Sequence, residues 1–167
     1  MFALRSKNVW TRWAPFGLRL VIGIGFIVHG WAKLSRGPEK FAGVLEWMGM
    51  PFAHAMAWLT TLVEIIGGFA ILSGACVTLA SIPLLVIHLV AMFGVHFKYG
   101  FSSVHTIGLT SQGPQFGPPG YEINLLYIAG LLAIVLGGGA GAWSVDGLLA
   151  HRAAERIRRS RTAYPPS

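Results

Sequence analysis

Glu64 stands in an apolar run, 55–73, that holds no other charge. An ionised carboxyl near the centre of a membrane helix costs at least about 2.5–3.5 kcal/mol, so Glu64 needs a partner, a proton or a task. Few residues can answer. His88 lies in the middle of the next apolar run and His96 at its end. At about 100° per residue these two stand roughly 80° apart around a helix, so both can face one interior. His29 and Lys33 are four residues apart and share a face of the first run. Glu122 and Asn124 open the last run, and Arg19 lies deep toward its opposite side.

A carboxylate and imidazoles set in apolar walls can relay protons, or hydrogen-bond the carbonyl oxygens of a quinone whose ring packs on aromatics. Two histidines on different helices can also ligate haem, and histidines with carboxylates a metal. No pair here has a distinctive spacing, so haem is the weaker reading and no metal site is assigned. The structural alternative gives Glu64 to Arg19 or to a histidine simply to fix helix packing. The residues therefore read as catalytic Glu64 and His88 at mid-depth and ligand-binding His29, Lys33, His96, Glu122 and Asn124 toward the outer end. Arg19 is the structural charge partner of Glu64. Lys33 taken alone is explained by snorkelling to the interface.

The elements that must position these groups follow from composition. The chain of 167 residues is 54% hydrophobic and 11% charged, with a mean hydropathy of +0.61, which is membrane composition. Four runs, at about 16–34, 55–73, 77–97 and 123–142, are long enough to cross the hydrocarbon layer as helices. They are continuous rather than alternating, which excludes a β-barrel pattern. The expected fold is all-α, a four-transmembrane-helix bundle over 16–147. A basic interfacial tail, 1–15, precedes it, and a basic cytoplasmic tail, 148–167, follows as a short amphipathic C-terminal helix with a frayed end at 164–167.

Charge sets the orientation. Between the tails, Arg19, Lys33, Arg36, Lys40 and Lys98 are balanced by Glu39, Glu46, Glu64, Glu122 and Asp146, so the net charge of +7 lives in the tails. Four spans put both tails on one side, and the positive-inside rule makes it the cytoplasm. The protein is thus expected in a bacterial cytoplasmic (inner) membrane, multi-pass, N-in and C-in. Anionic lipid beside the helix ends accounts for the arginines without nucleic acid as a partner. The first run is too long for a usual signal h-region and carries Arg19, so it reads as an uncleaved helix.

Gly23, Gly25 and Gly30 in the first run and Gly67 and Gly68 in the second allow close helix approach. Pro83 predicts a kink in the third. The long outer loop, 98–122, is rich in Gly and Pro but also holds Tyr99, Phe101, Phe116 and Tyr121. It is expected to fold back as a lid or short re-entrant segment. Cys76 is the sole cysteine, which excludes an internal disulfide or a C-x-x-C redox pair.

The strings RLVIGIGFIVHGWAKL (Arg19 to Leu34), EIIGGFAILSG (Glu64 to Gly74), HFKYGF (His96 to Phe101), GYEINLLY (Gly120 to Tyr127) and WSVDGLL (Trp143 to Leu149) stand in one order. In that order the chain, over about 16–150, resembles the DoxX family of small four-helix membrane proteins. The resemblance implies that Arg19, His29, Lys33, Glu64, His96 and Glu122 occupy recurring polar positions. His88, the long loop after Phe101 and the GGGAG before Trp143 depart from the pattern. Membership implies an inner-membrane protein, in several cases associated with quinone-linked oxidation of sulfur compounds or with redox-partner complexes. The function expected is a membrane subunit of a quinone-linked oxidoreductase, binding a quinone or similar hydrophobic ligand in the bundle. Its electrons come from a protein partner or substrate, since no flavin, iron–sulfur or haem motif is encoded. The alternative is a non-catalytic scaffold or assembly factor, as a homo-oligomer or with a partner protein.

Overall fold

The computed structural model describes residues 3–138 and 141–163. Helix α1 (Ala3–Arg36) is followed by α2 (Pro38–Trp47), α3 (Ala53–Ser73) and α4 (Val77–Ala91). A π turn (Met92–His96) and a 3-10 turn (Phe97–Tyr99) extend α4. Strands β1 (Thr106–Thr110) and β2 (Gly113–Phe116), then α5 (Glu122–Leu136) and α6 (Val145–Ala163), complete the chain. Three helical segments among the described residues are long and apolar enough to cross a membrane: Trp13–Arg36, Ala53–Ser73 and Val77–Tyr99. The fourth apolar helix, α5, has 15 residues, about 22 Å at 1.5 Å per residue, against a hydrocarbon layer of about 30 Å. It stops where the glycine run starts at Gly137, because glycine has the highest entropic cost in a helix after proline's steric one.

Helices α1, α3, α4 and α5 close a ring in which each packs on the next, and α1 with α3 is by far the most extensive seam. That seam is glycine-built. A Cβ at Gly68 would lie 2.9 Å from the Gly23 carbonyl and the Ile27 nitrogen, and one at Gly23 would lie 2.9 Å from the Gly68 carbonyl. Only bare backbones approach so closely. The buried core, including Phe26, Ile71, Leu84, Leu131 and Ile134, fills the half of the ring next to the α3–α4 turn, which is called here the turn end. Helix α2 packs across the opposite end through Ala42 and Leu45 against Ala53 and Ala57, and makes this the lid end.

Three elements differ from the sequence expectation. Helix α1 starts at Ala3, inside the segment read as a tail, and carries Pro15 without breaking. The connection between the first two apolar runs, 35–54, for which no helix was expected, contains α2, opened by Pro38 at its first turn and by Glu39, an acid at a helix N-terminus. The long loop is not helical: β1 and β2 pair antiparallel, Thr110 opposite Gly113 and Thr106 opposite Phe116, with a register irregularity between Thr106 and Gly108. The frayed end expected at 164–167 lies outside the described residues.

Candidate functional site

At the lid end a cavity of about 680 Å³ opens between the helices, within the size range of small-molecule sites, about 300–1,000 Å³. Its polar wall gathers one or two groups from each element: His29 and Lys33 from α1, Glu64 from α3, His88 from α4, His96 from the π turn and Asn124 from α5. The remaining wall is apolar, with Phe41, Met48, Met56, Val63 and Ile87 among it. Antiparallel packing of α1 and α3 puts Lys33 level with Glu64, and the two ion-pair, Nζ to Oε1, at 2.6 Å. The Lys33 ammonium also lies 4.4 Å above the Phe41 ring. So Lys33 does more than snorkel: it reaches inward to the carboxylate, and only 20% of its side chain is exposed.

Arg19 is elsewhere. It lies 14 residues before Lys33 on the same helix, about 21 Å away along the axis. Its Nε donates to the Ile71 carbonyl, Nη1 to Ala142 and Nη2 to Leu72 and Trp143, at 2.9–3.1 Å. Ile71 and Leu72 belong to the last turn of α3, whose carbonyls have no partner within the helix. A cation is favoured there by the helix dipole as well. Glu64 is therefore paired to Lys33, while Arg19 caps the far end of the same helix. Glu122 is also outside the cavity: its Oε2 accepts the Ser103 N–H at 3.0 Å and pins the long loop to the start of α5.

Two buried side-chain polar atoms remain without a hydrogen-bond partner among the described residues, Glu64 Oε2 and His88 Nδ1. Both residues are buried, at 2% and 4% exposure, and both line the cavity. Buried polar groups are nearly always satisfied, so two open valences on one wall identify where a ligand's polar end would fit. The His88 ring is held by aromatics: Phe26 meets it edge-on at 4.9 Å, and Tyr127 lies 4.8 Å away and 5.5 Å from His29. Tyr127 was not singled out from the sequence. Its phenol fills the space that a Cβ at Gly25 would take; the sequence signal that could have found it is its place three residues after Asn124, on the same face of α5. His96 donates its Nδ1–H to the Pro119 carbonyl at 3.0 Å, and so ties the π turn to the end of the long loop. Single π turns within helices are frequent at functional sites.

Fold and site together define a small helical membrane protein with a polar-walled cavity between its helices. The sequence pattern of the DoxX family matches residues 14–97, about half of the chain, and the chain belongs to that family. His29, Lys33, Glu64, His88 and His96 fall inside the match, and Asn124 lies beyond it. The chain is also similar to an uncharacterized membrane protein of Mycobacterium tuberculosis, 28% identical over 137 residues that make up 81% of each chain. No solved structure matches it. Among the described residues no three His, Cys, Asp or Glu side chains converge to hold a metal ion.

Proposed function

We propose that the protein is the membrane subunit of a redox system and that its cavity binds a quinone or a similar small hydrophobic ligand. The observation that carries this reading is the pair of buried, unpartnered atoms, Glu64 Oε2 and His88 Nδ1, on the wall of an otherwise apolar cavity. A quinone ring offers a carbonyl that accepts a hydrogen bond, and its reduced form a hydroxyl that donates one. His88 carrying its proton on Nδ1 serves the first, and the free oxygen of Glu64 serves the second. Lys33 pairs with the other oxygen of Glu64, and His29, His96 and Asn124 line the approach. Two-electron reduction of such a ring consumes two protons, which come from water and pass to it by relay, Glu64 and the histidines each taking one up before handing one on. The electrons come from a protein partner or a substrate.

In this reading α5 is the fourth crossing, both termini are cytoplasmic, and the lid end faces outward from a bacterial inner membrane. The basic residues of the two tails, both at the turn end, support that orientation. Titration of the purified protein in nanodiscs with a benzoquinone tests the ligand. Saturable binding is expected to weaken at least tenfold in Glu64→Gln and in His88→Phe, while wild type without saturable binding overturns the proposal. A scaffold role rests on a different observation, the exposure of α6 from Gly147 to Arg159. It predicts that truncation after Leu149 releases a co-purifying soluble protein while Glu64→Gln changes neither binding nor partner.

A further inference from the structure

The cavity has a roof and an open side. At the lid end it is covered by α2, through Phe41, Leu45 and Met48, and by the Pro119–Gly120 strap. Two contacts hold the roof: His96 to the Pro119 carbonyl, and the Lys98 ammonium 3.8 Å above the Trp47 ring. The side between α3 and α4 is different. These helices meet closely about two helical turns from the 74–76 connection, where a Cβ on Gly67 would stand 3.0 Å from Leu84 Cδ1. Along its length this seam is far less extensively packed than that of α1 with α3. Pro83, which cannot donate to the carbonyl one turn before it, stands next to Leu84 in α4 and lines the cavity.

Side chains that line the cavity along this seam are apolar and well exposed. Leu59 on α3 is 52% exposed, and Val86 and Val90 on α4 are 54% and 37% exposed. The one hydroxyl on the seam, that of Thr60, is spent on the Met56 carbonyl at 2.7 Å, so the rim presents only hydrocarbon. Both helices belong to segments that cross a membrane by length and composition. An opening there gives onto acyl chains, not water.

We infer that the ligand of this cavity is a lipid-tailed molecule that enters sideways from the bilayer, its polar head at Glu64 and His88 and its apolar tail lying out through the α3–α4 seam. This rests on the reading of the cavity as a ligand site and adds the class of ligand and its route. A water-soluble ring without a tail would have to pass the roof, whereas a tailed one reaches the head-group site without leaving the hydrocarbon. Met48 and Met56 on the wall suit such an occupant, since unbranched thioether side chains repack around apolar ligands.

Photolabelling of the full chain in nanodiscs tests the inference. One probe is a benzoquinone with a diazirine in a polyprenyl tail, the other the same ring with a diazirine on the ring. The expected result is ring adducts beside Glu64 and His88 and tail adducts on the Leu59–Val63 and Val86–Val90 segments, both reduced at least tenfold by excess unlabelled tailed quinone. Tail adducts on α2 or the Pro119 strap, or tail adducts that excess quinone does not compete, overturn the lateral route while competable ring adducts leave the ligand site standing. Absence of competable ring adducts removes the ligand site and the route together.

Discussion

Arg19 and Glu64 are both charged side chains buried in apolar helices, at 1% and 2% exposure, and the protein finishes one and leaves the other open. At the turn end, Arg19 spreads its guanidinium over carbonyls from the end of α3 and from the segment before α6. Gly74 leaves the room, since a Cβ there would stand 2.7 Å from the Arg19 Cζ. Asp146 completes the arrangement from the opposite sign: its carboxylate accepts the Cys76 N–H at 3.0 Å and the Val77 N–H at 3.4 Å, capping the start of α4. A cation on a helix C-terminus and an anion on a helix N-terminus close the turn end electrostatically. At the lid end the pairing stops one bond short, and Glu64 Oε2 and His88 Nδ1 face a cavity. Buried charge tied to carbonyls on all sides serves the architecture; buried charge with a bond to spare leaves room for a ligand.

The contrast is broken most directly at Arg19. Replacing it with Met removes the donor from four carbonyls, two in buried bonds and two partly buried, and a buried group left unpaired costs about 1–3 kcal/mol, so a loss of about 3 kcal/mol is expected in reversible unfolding from detergent micelles. Arg19→Lys should recover less than half of it, because an ammonium cannot fork across separate carbonyls. Ligand affinity of the folded fraction should not move. Gly68→Val comes next. The added side chain meets the Gly23 carbonyl and the Ile27 backbone, and overpacking of this kind costs about 1–3 kcal/mol. Both substitutions act on stability, whereas Glu64→Gln keeps an oxygen for Lys33 and should leave unfolding within about 1 kcal/mol of wild type. Equal stability losses from Arg19→Met and Glu64→Gln would erase the distinction.

How far the sequence carries this contrast depends on what sets each feature. Continuous apolar runs and paired glycines announce the helices and the α1–α3 seam, because length and side-chain size act locally. The ring of polar residues was legible for the same reason: His29, Lys33, Glu64, His88, His96 and Asn124 each sit on an inward stripe of their own helix. The partner of Glu64 was not legible. Arg19 and Lys33 are both cations on α1, and the choice between them is made by the register of α1 against α3, fixed by contacts such as Gly23 on Gly68 that no periodicity encodes. The hairpin of β1 and β2 was hidden in a Gly- and Pro-rich stretch that lacks alternation. In α2 the signals were present, Pro38 with Glu39 at the first turn, but Lys40 and Glu46 mask a ten-residue helix that depends on α3 for its apolar partner.

A third set of charges gives the smallest effect and sharpens the rule. The His54 ring bridges two carboxylates of α2: its Nδ1 meets Glu39, and its Nε2 lies 3.2 Å from Glu46. The Trp58 N–H donates to the other Glu39 oxygen at 3.2 Å. These groups fasten the lid helix to α3, but all of them are exposed, so water competes for every bond. The His54 ring, and after it the Trp58 N–H, hold the Glu39 carboxyl below the ordinary carboxylate range. An unfolded glutamate titrates at about 4.3, so the contribution of this depressed carboxyl is complete above that pH and is lost as pH falls through the lower folded value. The lid tether should thus loosen in acid; because the hydrogen bond to Glu39 raises the His54 pKa, the imidazolium part of the tether is in turn lost as pH rises through that raised value, and both limbs are read as faster amide exchange in α2. His54→Ala should return the Glu39 titration, followed by carboxyl NMR, toward its ordinary value without a measurable shift in the unfolding midpoint. A shift as large as that of Gly68→Val would mean that exposed ion pairs support the lid as firmly as buried packing supports the ring, and solvent access would no longer separate the charges that build this protein from those that only fasten it.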